Sequence, residues 1–195
     1  MAGFHALQWH HATTADATLE PSQPIEQLSW HAPAELVMES FHDHVTLFPE
    51  STRLPEAEQR FERTDTRYAG VLNANQKLSG MLLARELHSR QSGALSTALQ
   101  VPWSQVEVKH LMEPIERLPV LDRGQLRQAK IGDIAATMQA AGKNFVVIEA
   151  NGAIVGFISS LRILAATGES VRLYPKATTF VEVFTALKHP EITDS

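Results

Sequence analysis

The sequence predicts an α/β (α+β) fold in which two β-α-β-β-α repeats pack with pseudo-two-fold symmetry. Three observations predict it. An apolar run, an Asn-Gly turn, a second apolar run and a helix start follow one another in NFVVIEANGAIVGFISSLRIL, residues 144–164. RYAGVLNANQKLSGMLLAREL, residues 67–87, is a fainter copy, with Val71 and Gly80 matching Val147 and Gly156 at one offset of 76 residues. Each hairpin follows a segment of helical period, and each copy opens on a methionine, Met38 in AELVMESF and Met112 in VKHLMEPI. A unit recurring at fixed spacing is one supersecondary element used twice. A repeat of roughly 50 to 60 residues hides too little apolar surface to stand alone. The two are therefore expected to share a core, sheet against sheet, with the helices outside.

Each element has its own local reason. Residues 1–32 form an N-terminal arm rich in Thr, Ala, Ser and Pro with little apolar periodicity. It is expected to be partly disordered, with Trp9 and Trp30 as its docking points. In repeat 1, residues 33–91, Leu54, Ala57 and Phe61 fall on one helix face, with Thr52 as a candidate cap and Pro55 in the first turn. Strands at 68–72 and 78–83 follow, and a short helix from Ala84 to about Arg90. Residues 92–104 read as a linker. In repeat 2, residues 105–168, Ile131, Ile134, Ala135 and Met138 make a fuller apolar stripe that Gly142 is placed to end. Strands at 145–148 and 154–158 flank Asn151-Gly152, whose tolerance of positive φ suits a tight turn, and a helix runs from Ser159 to about Ala166. The C-terminal extension, 169–195, suggests a strand at 171–174 and a helix capped by Thr179.

Composition narrows the function. Hydrophobic residues make up 44% of the 195, enough for a globular interior. The longest clean apolar stretch, 153–158, is far short of the roughly 18 to 20 residues that span a bilayer. The first residues lack a basic start and apolar core, so no secretory signal is expected, and with no cysteine a cytoplasmic location is the default. The net charge of −5 is dispersed without a basic stripe, so neither nucleic acid nor membrane is expected as a partner.

The repeated residues resemble a known family. Paired units that open with a VxxLM-like stretch and close on hhGhhS/TxxD are similar to tandem cystathionine β-synthase (CBS) domains, a Bateman module. The matching stretches are EVKHLMEP and IGDIAATMQAAGKNFVVIEANGAIVGFISSLRIL, with AELVMESF and LPEAEQRFERTDTRYAGVLNANQKLSGMLLAREL in the first copy. The resemblance spans about residues 33–168 and is more specific in the second copy. It implies a free-standing regulatory pair that binds AMP, ADP, ATP or S-adenosylmethionine between the repeats, forms a homodimer, and signals to an unidentified protein partner in trans. No other cofactor is implied.

The closing motif also says which residues would bind. A Ser or Thr hydroxyl beside free N–H groups at a helix start suits a phosphate, and the acid that follows would accept from ribose hydroxyls. Repeat 2 keeps Ser159, but Arg162 stands where the acid should be; repeat 1 keeps Glu86 as the acid, but Leu83 replaces the hydroxyl. Guanidinium offers donors only, so Arg162 would fork onto a phosphate or carboxylate rather than ribose. Ser159, Arg162 and Phe157, with Glu86 and Met81, are the candidate ligand-binding residues, and Thr46 and Leu118 should wall the cleft. The competing reading of Arg162 is a solvated helix residue. The alternative function is a degenerate CBS pair acting as a dimerisation or protein-interaction scaffold without nucleotide.

Other constellations carry less. His42-Asp43-His44 puts two histidines on one strand face without an evident third ligand, so no metal is assigned. No GxSxG elbow, HExxH pair or phosphate loop occurs, and no catalytic residue is assigned, so the chain is read as a non-enzyme. Glu35 and Glu39 read as solvent-facing acids.

Overall fold

The computed structural model describes residues 5–11, 28–41 and 45–172. Two four-stranded sheets form the centre. The first contains β2 (Thr46–Pro49), β3 (Tyr68–Leu72), β4 (Leu78–Leu83) and β5 (Glu113–Pro114), in that spatial order. The second has the order β1 (His10–His11), β6 (Pro119–Asp122), β7 (Phe145–Ala150) and β8 (Ala153–Ser159). In each, the first repeat strand pairs parallel with the next, so a helix must cross between them. That helix is α1 (Leu54–Thr64) in repeat 1 and α5 (Ile131–Ala141) in repeat 2. Both hairpins then pair antiparallel, and Asn151 (φ 52°) and Gly152 (φ 76°) supply the two positive φ angles of the tight turn.

The opening stretches are exchanged between repeats. Glu39 pairs antiparallel with Phe157 on β8, through Glu39 N–H to Phe157 O at 2.8 Å and Phe157 N–H to Glu39 O at 2.9 Å. At the matching place, β5 lays Glu113 against Met81 on β4. Each repeat therefore finishes the other's sheet. Two glycines make the approach feasible. A Cβ on Gly156 would lie 2.6 Å from Glu39 O, and one on Gly80 would lie 2.7 Å from both Glu113 O and Met112 Sδ.

Three apolar clusters follow from this arrangement. Side chains of both sheets, among them Phe41, Met81, Ile115, Leu118, Phe145 and Phe157, meet between them. Phe48, Leu54, Phe61, Val71 and Leu82 pack α1 on the first sheet. Ile131, Ile134, Met138, Val146 and Ile158 pack α5 on the second, and Trp9 and Trp30 lean against that cluster. Burial between two sheets and under two helices is the layered solution that half-apolar elements require.

Several elements depart from the local reading. AELV (Ala34–Val37), where the first copy opens, is a 3-10 turn. Arg53, not Thr52, precedes α1 as its cap residue and makes no side-chain capping bond. The expected linker holds α2 (Arg90–Leu99), capped by Ser89, whose hydroxyl accepts from Ser92 N–H. The short helix after β4 is a 3-10 turn, Ala84–His88. Two short helices, α3 (Val108–Leu111) and α4 (Arg123–Gln128), precede α5, and α6 (Ser160–Thr167) follows β8. Gly142, at φ 67°, ends α5 as expected. Among the described residues no helix is long and apolar enough to cross a membrane. The histidines and aspartate at 42–44 and the helix expected from Thr179 lie outside the described residues, and of the strand expected at 171–174 only Val171 and Arg172 are described, neither of them in a strand.

Candidate functional site

The pseudo-two-fold relation sets two comparable places between the repeats. In each, a closing motif of one repeat faces the opening stretch of the other. Glu39 faces β8 and α6; Glu113 faces β4 and the 3-10 turn after it. The two places have different contents.

On the first side the protein fills the space itself. Glu39 is only 9% exposed. Its Oε1 accepts from the Tyr68 hydroxyl, and its Oε2 accepts from Ser159 Oγ at 3.3 Å. Ser159, fully buried, caps α6 by accepting from Arg162 N–H at 3.0 Å, which leaves its own proton for Glu39. Arg162 is half-buried in the first turn of α6, and its Nε is buried without a hydrogen-bond partner. Phe157 lies in the core, its ring 4.9 Å from Phe41 and 5.7 Å edge-on to Tyr68.

Burial holds the Glu39 carboxyl above its ordinary pKa of 4.5, although the Tyr68 hydrogen bond, the Arg162 charge and the Ser159 hydroxyl all pull it down. Burial and the neighbouring Glu39 push Tyr68 well up. A raised folded-state pKa means that the folded chain holds this proton more tightly than the unfolded one. The contribution to stability is then complete below pH 4.5 and declines as pH rises through the raised value. Subtracting the stability of Glu39→Gln from that of the wild type across this range, by urea titration at each pH, should give a falling difference. Its slope should reach up to about 1.4 kcal/mol per pH unit. A flat difference would show that Glu39 titrates normally.

The second side is open. A cavity of about 790 Å³ lies between the repeats. Met81, Leu83 and Glu86 of repeat 1 form one wall, Met112 to Arg117 another, and Gly142 to Phe145 the end of the cleft. Lys143 Nζ pairs with Glu113 Oε1 at 2.6 Å, and Lys109, also on the lining, pairs with Glu107 at 2.5 Å. Glu86 lies 3.4 Å from Arg85 Nε. His110 contributes a buried Nδ1 with no partner, and burial, helped by the charge of Lys109, lowers its pKa. The lining therefore combines apolar wall, carboxylates and ammonium groups, a mixture suited to a polar ligand with one flat or apolar part.

The residues singled out from the sequence thus separate into three groups. Ser159, Arg162 and Phe157 come together around Glu39. Met81 and Glu86 come together on the open cleft. Thr46 bonds Thr64 and Thr66 through its hydroxyl, at 3.2 and 2.8 Å, and Leu118 is fully buried between the sheets; neither lines the open cavity. Sequence reasoning missed Glu39, Tyr68, Glu113 and Lys143. The signal for the first and third was present: Met38-Glu39 recurs as Met112-Glu113. Among the described residues no cluster of three or more His, Asp or Glu is placed to hold a metal ion.

No protein-family model matches the sequence, and comparison with curated proteins finds no match. The fold does match solved structures. A conserved protein from Pyrococcus horikoshii aligns with a TM-score of 0.53 at 19% identity, over 76% of this chain and 100% of that one. A hemolysin-like protein containing a CBS domain, from Oenococcus oeni, aligns with a TM-score of 0.50 at 11% identity, over 70% and 90% of the two chains.

Proposed function

Starting from the fold of a tandem CBS pair, which this chain has, we propose that it is a ligand-sensing regulatory module. In this reading it binds an adenosine nucleotide or a related anionic ligand in the open inter-repeat cleft and signals to a partner in trans. The observation that carries the reading is the 790 Å³ cleft lined by both repeats. Its volume falls in the roughly 300 to 1,000 Å³ range of small-molecule sites. Met81, Leu83 and Phe145 offer apolar surface for a base, Glu86 offers acceptors for ribose hydroxyls, and Lys143 and Arg117 offer positive charge for an anionic tail. A ligand held between two repeats can bias how they sit on each other or on a second copy. It does so only if it binds one arrangement more tightly than the other.

A thermal-shift series with AMP, ADP, ATP and S-adenosylmethionine tests this directly. A ligand at a hundredfold excess over its Kd should add about 2.7 kcal/mol, a rise in Tm of roughly 5 to 10 °C for a chain of this size. Glu86→Ala should weaken that ligand by about tenfold, which is about 1.4 kcal/mol, with an unchanged urea midpoint in its absence. No shift with any of the four at millimolar concentration would overturn the nucleotide reading.

The second reading is a scaffold that dimerises or binds protein without nucleotide. A specific observation favours it: the Ser159 and Arg162 side is filled by the chain's own Glu39. Homodimerisation belongs to both readings, and a mass measurement at micromolar concentration tests it.

A further inference from the structure

The buried carboxyl group of Glu39 occupies what is chemically an anion pocket. Its two oxygens take hydrogen bonds from donors on different elements, the Tyr68 hydroxyl on β3 and Ser159 Oγ at the end of β8. Those donors come from opposite repeats, 29 and 120 residues further along the chain than Glu39, so no local motif assembles them. The guanidinium of Arg162 is close enough to favour the charged form of Glu39. Its Nε is buried and has no hydrogen-bond partner. A carboxyl group taken out of water is costly; the two hydroxyl donors and the Arg162 charge offset part of that cost, although burial still holds the Glu39 pKa up.

The related place across the pseudo-two-fold shows that this filling is not imposed by the fold. Leu83 stands where Ser159 stands, and Glu86 where Arg162 stands, so two of the groups that face Glu39 are missing. Glu113, the counterpart of Glu39, turns instead to Lys143 and lines an open cavity. The same backbone exchange thus leaves one side open and the other closed according to which side chains surround the glutamate.

We propose that the Ser159 side is a carboxylate-binding pocket closed by an internal ligand, the Glu39 side chain, which excludes external anions from Ser159 and Arg162. The ligand class that fits is a small carboxylate, because the occupant is one. This inference stands whether or not the open cleft takes a nucleotide.

Removing the occupant tests it. Glu39→Ala deletes the atoms of one acetate ion, so sodium acetate should raise the thermal midpoint of this variant above that in sodium chloride of equal ionic strength. The same salts should not separate for the wild type, and the bulkier pivalate should not replace acetate. Adding Ser159→Ala to the variant should abolish the acetate effect. Equal shifts for wild type and variant, or no acetate effect on a folded variant, would overturn the proposal.

If Glu39→Ala does not fold in either salt, a double-mutant cycle with the isosteric Glu39→Gln decides. Arg162→Gln should lower the folding equilibrium at least tenfold in the wild-type background and far less in Glu39→Gln. Equal losses in both backgrounds would show that Arg162 does not serve the Glu39 carboxyl group and would overturn the pocket.

Discussion

Phe157→Ala is expected to lower stability by about 3 to 5 kcal/mol, the range for truncating a buried aromatic ring without collapse of the space it leaves. The ring is fully buried and belongs to the cluster between the two sheets. It meets Phe41 at 4.9 Å, Tyr68 at 5.7 Å and Phe145 at 6.3 Å, so three aromatic neighbours lose their partner together. Two of these rings stand edge-on, an arrangement that adds to the area term. Collapse is hindered because the backbone of Phe157 is tied to Glu39 by two hydrogen bonds. Thermal unfolding should show a fall of roughly 6 to 20 °C, from about 2 to 4 °C for each kcal/mol in a chain of this length. A loss below about 1 kcal/mol, the level of a tolerated core swap, would mean that the sheets do not meet at this ring.

The second large effect concerns the exchange of the opening stretches. Gly156→Ala is expected to cost about 1 to 3 kcal/mol, the usual range for overpacking a filled site. The added carbon would sit 2.6 Å from the carbonyl oxygen of Glu39. That oxygen belongs to backbone already hydrogen-bonded to Phe157, so it cannot swing aside as a side chain would. Gly80→Ala should behave alike, against Glu113 O at 2.7 Å. Gly93→Ala is the control of opposite sign. It lies in α2 with open space around its position, so alanine should stabilise by about 0.5 to 1 kcal/mol. Urea midpoints for the three variants measure this. Equal changes at Gly156 and Gly93 would show that the opening stretch of repeat 1 does not lie on β8.

These two predictions mark where sequence reading was strong and where it was not. The strands at 68–72 and 78–83 match β3 and β4 residue for residue, and Gly142 and Asn151-Gly152 occupy the positive-φ positions assigned to them. Each is decided within a few residues, by alternation, by a tight turn or by a helix end. The helix α2 escaped because it carries little of that pattern. Only Ser92 and Leu95 are buried along its ten residues. Gly80 and Gly156 were legible as matching positions of the repeat, but that the backbone of the other repeat approaches them was not.

Glu39 shows the limit most sharply. It lies one helical turn from Glu35 if the stretch is helical, and a pair of solvent-facing acids is the natural reading. Its partners, Tyr68 and Ser159, lie 29 and 120 residues away, and only the exchange of opening stretches brings them to it.

By itself, the sequence determined the duplication, the helix-then-hairpin order at the centre of each copy, the hairpin turns and the apolar faces. These follow from periodicity and from the dihedral preferences of single residues. It also determined that neither closing motif is complete, with Arg162 in place of an acid and Leu83 in place of a hydroxyl. The tertiary structure alone decided what each incomplete motif faces. Around Glu39, a hydroxyl from each repeat and a nearby guanidinium draw the carboxyl group inward and close one side. Around Glu113, where Leu83 cannot donate and Glu86 would repel, the carboxylate pairs with Lys143 and the cleft stays open. A buried carboxyl group goes where donors converge, and that convergence is a property of the assembled sheets.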